Sequence, residues 1–170
     1  MRLPHVDGLT IRVSAGTGTG RTELSAFDAA LTSVGVGDFN LIRLSSVIPP
    51  GSDVVQVGPQ QQVTGGHGDR LYCVYATAYA SAPLQQAWAG MAWSRRNDGS
   101  GEGLFVEHSA SSETTVTADL RSSLADLSQR RGGDFTEAGL VTASVHCVDQ
   151  PVCALVIATF QSVPWSQHGL

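Results

Sequence analysis

Two adjacent serines, Ser45 and Ser46, stand in the run Asn40-Leu41-Ile42-Arg43-Leu44-Ser45-Ser46-Val47-Ile48-Pro49-Pro50. A serine hydroxyl can attack the carbonyl of the residue before it and turn that amide into an ester. The shift needs a strained or polarised peptide bond and a donor to hold the oxyanion. Elimination from the ester leaves dehydroalanine, whose hydrolysis gives an N-terminal pyruvoyl group. Ser46 supplies the hydroxyl, Ile48-Pro49-Pro50 restricts the backbone, and Asn40 offers a neutral amide donor. Taken alone, a Ser-Ser pair beside prolines reads most simply as a polar turn.

Two carboxylates could serve such a group. Asp28 lies four residues after Leu24 and one after Phe27, close to an apolar stripe. A carboxylate there is costly to bury unless it meets a cation, and a guanidinium is a good bidentate partner. Ser25-Ala26-Phe27-Asp28 also has the form of a capping box at a helix start, and the residues alone do not choose between the two. Glu107 closes the run Leu104-Phe105-Val106. Partial burial there would raise its pKa and keep it protonated, as a general acid requires. A solvated glutamate at a strand end is the plainer reading of those residues.

Other chemistries find less support. His5, His67, His108, His146 and His168 are scattered and make no zinc-binding pair. No Gly-x-Ser-x-Gly elbow is present. Ala15-Gly16-Thr17-Gly18-Thr19-Gly20 lacks the Lys-Ser/Thr of a phosphate loop. Cys73, Cys147 and Cys153 are odd in number and lack metal-ligand spacing, and Cys147 and Cys153, near a strand–turn–strand pattern, are expected to be buried thiols.

The elements that must position these residues are mostly short. Thr10 to Ser14 predicts a strand, ending in the glycine-rich stretch as a turn. Leu24, Phe27, Leu31 and Val34 recur at helical spacing within 22–34, and Gly35 and Gly37 stop that helix. Phe39 to Leu44 predicts a strand, Gln56 to Asp69 a polar loop, and Leu71 to Ala80 a long strand. Pro83 with Leu84, Ala87, Trp88 and Met91 predicts a helix to Arg95, in which Trp88 and Trp93 are packing residues. Gly103 to Ser109 predicts a strand, and Val116, Leu120, Leu124 and Leu127 an amphipathic helix closed by Gly132-Gly133. Leu140–Cys147 and Val152–Phe160 predict a hairpin around Asp149-Gln150-Pro151. This order gives an α+β or layered α/β fold without a domain break.

Composition narrows the partners. The chain has 170 residues, a length that suits one domain, and 42% of them are hydrophobic. Only 15% are charged, against about a quarter in typical domains, which suggests surface buried against other subunits. A net charge of −5 argues against nucleic-acid binding. No apolar run at Met1-Arg2-Leu3-Pro4-His5 suggests a signal peptide, and none elsewhere is long enough for a membrane span. The expectation is a reduced, cytoplasmic protein.

The run from Leu24-Ser25-Ala26-Phe27-Asp28 through Ser45-Ser46-Val47-Ile48-Pro49-Pro50 closely resembles the pyruvoyl-dependent arginine decarboxylases. That family's self-cleavage bond lies in an Asn-Leu-(Ile/Val)-(Arg/Lys)-hydrophobic-Ser-Ser-hydrophobic-hydrophobic-Pro-Pro segment. The likeness includes the Asp28-to-Asn40 spacing and returns briefly at Gly103-Leu104-Phe105-Val106-Glu107. The resemblance implies a layered α-β-β-α sandwich, a zymogen cleaved after Ser45 into a β chain, 1–45, and an α chain, 46–170. It implies a covalent pyruvoyl cofactor from Ser46, self-cleavage assisted by Asn40, and Glu107 as proton donor. Asp28 would contact the substrate in a pocket shared with Leu24 and Phe39. The implied reaction, a Schiff-base decarboxylation of L-arginine to agmatine and CO₂, belongs to polyamine biosynthesis and needs no metal. It also implies homotrimers with active sites between neighbours. Asp28 would equally suit lysine, ornithine or a modified basic amino acid. An uncleaved, non-enzymatic oligomeric binding module is the rival from another class. His108 stands where family members commonly carry an aromatic residue.

Overall fold

The glycine-rich stretch after Ser14 is strand rather than turn. In the computed structural model, which describes residues 8–165, β1 runs over Thr10–Thr19. Helix α1 (Glu23–Ser33) lies so close to it that a Cβ on Gly18 would sit 2.2 Å from the Ala26 carbonyl oxygen. Glycine is used here to let a helix backbone approach a strand, not to bend the chain. The opening residues through His5, and His168, lie outside the described residues.

Helix α1 begins where its periodicity predicts, but its cap differs. Thr22 and Ser25 form the reciprocal box, each side-chain oxygen accepting from the other's backbone N–H. The alternative of a capping box over Ser25–Asp28 is therefore overturned. The cap satisfies the first turn three residues earlier, and Asp28 falls in the second turn of the helix.

The remaining elements are β2 (Asn40–Arg43), β3 (Val47–Ile48), β4 (Asp53–Gln56), β5 (Arg70–Ala80), β6 (Gln86–Arg96), β7 (Gly103–Ala110), α2 (Glu113–Arg130), β8 (Phe135–His146) and β9 (Val152–Val163). A short 3-10 turn covers Pro59–Gln61. Five strands form one sheet in the order β2-β5-β9-β1-β4, and four form a second in the order β3-β7-β6-β8. Ile11, Val74, Met91, Phe105 and Val156 belong to one buried cluster to which both sheets contribute. Ala26, Ala30 and Leu31 of α1 pack on Leu71, Leu155 and Ile157 of the first sheet. Val116, Leu120 and Leu124 of α2 pack on Ala92 and Val106 of the second. The fold is α+β, with two sheets and two helices, and no described helix is long and apolar enough to cross a membrane.

Two expectations fail, the first because burial on both faces erases alternation. The segment through Arg95 expected as a helix is strand β6. Ala87, Ala89, Met91 and Trp93 join the cluster shared by the sheets, while Ala92 meets α2 and a Cβ on Gly90 would sit 2.7 Å from Leu120 Cδ1. With apolar residues at both parities, Leu84, Ala87, Trp88 and Met91 imitate helical spacing. The expected hairpin is likewise absent: β8 pairs with β6, whereas β9 pairs with β1 and β5. The turn at Asp149-Gln150-Pro151 carries the chain from one sheet to the other.

The polar loop after Gln56 is anchored rather than free. Buried Gln62 donates to Ser14 Oγ at 2.7 Å and accepts from Thr159 Oγ1 at 2.8 Å, tying it to β1 and β9. Cys147 and Cys153 are buried free thiols, as expected, and Cys73 is one too. Burial pushes Cys73 up to about 12 and Cys153 up to about 11, so both stay neutral.

Candidate active site

Strand β2 ends in one sheet and β3 begins in the other, and the chain changes direction between them at Ser46. Its φ of 72° lies in the left-handed region, occupied by only one other non-glycine residue among those described, Leu84. For a residue with a Cβ that conformation costs about 1–2 kcal/mol. Strand β7 holds it there. Val47 and Ile48 pair with Leu104 and Gly103, and the Ser46 carbonyl accepts from the Phe105 N–H at 2.8 Å. The Ser46 hydroxyl turns toward the same strand and donates to Glu107 Oε1 at 2.5 Å, at the short end of charge-assisted bonds.

Glu107 is half-buried. Burial pushes its carboxyl above the ordinary 4.5, while the Ser46 hydrogen bond and the charges of Arg43 and His108 pull it back down. Arg43, at the end of β2, donates to the Tyr75 carbonyl at 2.9 Å and lies 4.6 Å from the centre of the Tyr75 ring. Beside Glu107 opens a hollow of about 200 Å³ lined by Arg43, Ala76, Thr77, Glu107, His108 and Ser109. The His108 ring is held from α2 by Ser123 Oγ, 2.7 Å from Nε2. A hydroxyl on a strained backbone, a carboxyl whose pKa is raised by burial and a polar hollow with a cation form one constellation. It can support proton transfer at residue 46.

The other expected residues make no contact with that constellation among the bonds of the described residues. Asn40 opens β2, and its Nδ2 donates to the Gly68 carbonyl at 2.7 Å. It is registered opposite Arg70 of β5 and stands three residues before Arg43, which lines the hollow. Three strand residues span about 10 Å. Phe39 packs against the cluster under α1. Asp28 and Leu24 are exposed on α1, Leu24 to 76%. Among the described residues the Asp28 carboxylate meets no donor or cation.

Sequence reasoning missed Arg43, Thr77 and the Phe105 N–H. Arg43 left a signal, a charge standing in the nucleophile's own segment. Thr77 comes from a strand some thirty residues on and is recruited by sheet packing alone. A backbone N–H leaves no trace in residue types.

Comparison with known proteins bears on this arrangement. The model of the family described as pyruvoyl-dependent arginine decarboxylase (PvlArgDC) matches residues 10–162. A pyruvoyl-dependent arginine decarboxylase of Halobacterium salinarum is 44% identical over 105 residues, covering 62% of each chain. Proteins of the same name are 29% identical over 150 residues in Methanococcus vannielii, covering 88% of each, and 32% over 148 residues in Methanopyrus kandleri, covering 85% of this chain and 90% of that one. The match thus spans 62% of the Halobacterium protein's length and most of the other two. Ser46 and Glu107 both fall inside the matched region, and the chain belongs to the pyruvoyl-dependent arginine decarboxylase family.

Proposed function

We propose that this chain decarboxylates L-arginine to agmatine and CO₂, using a pyruvoyl group made from Ser46. The observation that carries the reading is the Ser46 hydroxyl, on a left-handed backbone, bonded at 2.5 Å to a carboxyl that burial biases toward its protonated form. The surroundings fit the group. Its two carbonyl carbons would be those of residue 46, and the amide oxygen already has a donor in Phe105. A pyruvoyl supplies a ketone conjugated with an amide, an electron sink for loss of CO₂ from an amino acid.

The chain's own residues then divide the work. Cleavage between Ser45 and Ser46 separates residues 1–45 from 46–170 of what is otherwise one domain, layered α-β-β-α. Asn40 assists that cleavage through its amide. Glu107 carries a proton at its carboxyl beside residue 46 and delivers it to the substrate carbon after CO₂ leaves. Asp28 holds the guanidinium, in a pocket shared with Leu24 and Phe39. Asp28 and Leu24 are exposed, which supports sites completed between copies in a homo-oligomer, a trimer by family resemblance. A cytoplasmic setting accords with three free thiols.

The purified chain tests this directly. Intact mass should give two pieces split after Ser45, the larger reacting with hydrazine, and labelled arginine should release CO₂ faster than lysine or ornithine. A single full-length species without a carbonyl adduct would overturn the reading. Preference for another amino acid would overturn the substrate.

A further inference from the structure

Strand β7 addresses residue 46 twice. The Glu107 side chain takes the hydroxyl, and two residues earlier the Phe105 N–H takes the carbonyl oxygen at 2.8 Å. The hydroxyl belongs to the atoms that self-cleavage transforms. The carbonyl does not: the bond that breaks is the one before Ser46, so this oxygen and its donor survive unchanged. Phe105 is fully buried, and the two pairs that follow, Val47 with Leu104 and Ile48 with Gly103, fix the geometry. The N–H is thus preorganised and withdrawn from water.

Resting on the proposed function, we infer that the Phe105 backbone N–H is a catalytic group, an oxyanion donor for charge that reaches the residue-46 amide oxygen during decarboxylation. When the bond between the substrate's α-carbon and carboxyl breaks, CO₂ leaves and the electron pair stays behind. Conjugation through the keto-derived carbon carries part of that charge to the amide oxygen. Addition of one proton to the α-carbon, from Glu107, returns the charge and closes the balance. A donor aimed at an atom that is neutral at the start and anionic in the transition state stabilises the second more than the first. The burial of Phe105 keeps water from screening the interaction.

The test replaces the Phe105 N–H by an ester oxygen, installing phenyllactic acid at position 105. The control is the corresponding hydroxy acid at Val106, whose N–H points to β6 by the alternation of an antiparallel ladder. Labelling with [1-¹³C]serine gives a second readout, because a keto-amide carbonyl resonates apart from ordinary peptide carbonyls. The unsubstituted protein is measured first. If it lacks that resonance or releases no CO₂ from arginine, the proposed function itself fails. With both present, the position-105 ester should lower kcat by about 100-fold at a KM for arginine within about twofold. Its carbonyl resonance should move upfield as the hydrogen bond is lost, and the position-106 ester should do neither. An unmoved resonance, an unchanged kcat, or equal losses from both esters would overturn the assignment.

Discussion

Ser46 with Glu107, and Leu24 with Asp28, are two halves of a proposed site with opposite characters. The first half is finished within one chain: the Ser46 hydroxyl and carbonyl both have partners on β7. The second is open, with an apolar side chain 76% exposed and a carboxylate that no described residue approaches. Groups that must react in a fixed geometry are built where strand pairing can hold them. Groups that must receive a flexible cation are left on a helix surface, where no protein donor competes with the ligand.

The hardest test of this contrast is Ser46→Ala. It should abolish the carbonyl group and all CO₂ release, the chain remaining in one piece by mass spectrometry; surviving turnover would remove residue 46 from the chemistry. Glu107→Gln should still permit cleavage but slow kcat by about 100-fold or more, checked by steady-state assay on cleaved protein. Unaltered turnover would detach Glu107 from proton delivery. Asp28→Asn should act mainly on KM, raising it by about 10-fold for basic substrates, since a charge-assisted pair becomes a neutral one. Mixing Asp28→Asn with Glu107→Gln subunits should give a kcat/KM for arginine above that of either homogeneous preparation. No recovery would place both halves in one copy.

The smallest expected effect is on stability. The Glu107 pKa is raised in the folded chain, so its contribution is fully present below the unfolded value near 4.5. It is lost as pH climbs through the folded value. Denaturant midpoints of the uncleaved Ser46→Ala chain should therefore fall over that window relative to the Ser46→Ala, Glu107→Gln double variant. Parallel profiles would mean that the carboxyl is solvated.

The halves also differed in how far the residues themselves revealed them. Helix α1 was legible because its burial is one-sided, and so was α2, whose Val116, Leu120 and Leu124 face the second sheet. Ser46 and Glu107 were legible as types within a motif, and their meeting across sixty-one residues came from resemblance rather than from pattern. Strand β6 was not legible, because neighbours cover both of its faces and Trp88 with Met91 then imitates a helical stripe. The partners of β8 and β9 were hidden for another reason. Either strand's apolar faces would suit either sheet, and only the completed packing decides. The extension of β1 through its glycines depended on α1 lying close over them, a fact about another element.

The short bond between Ser46 and Glu107 has a consequence in time. In the uncleaved chain the hydroxyl is one of the influences that favour the ionised carboxyl, opposing burial. A chain converted at Ser46 no longer has that hydroxyl, while the burial stays. Maturation would therefore strengthen the glutamate's grip on its proton at the moment a proton donor is first required. If Ser46 is converted as proposed, the event that makes the electron sink also tightens the acid beside it.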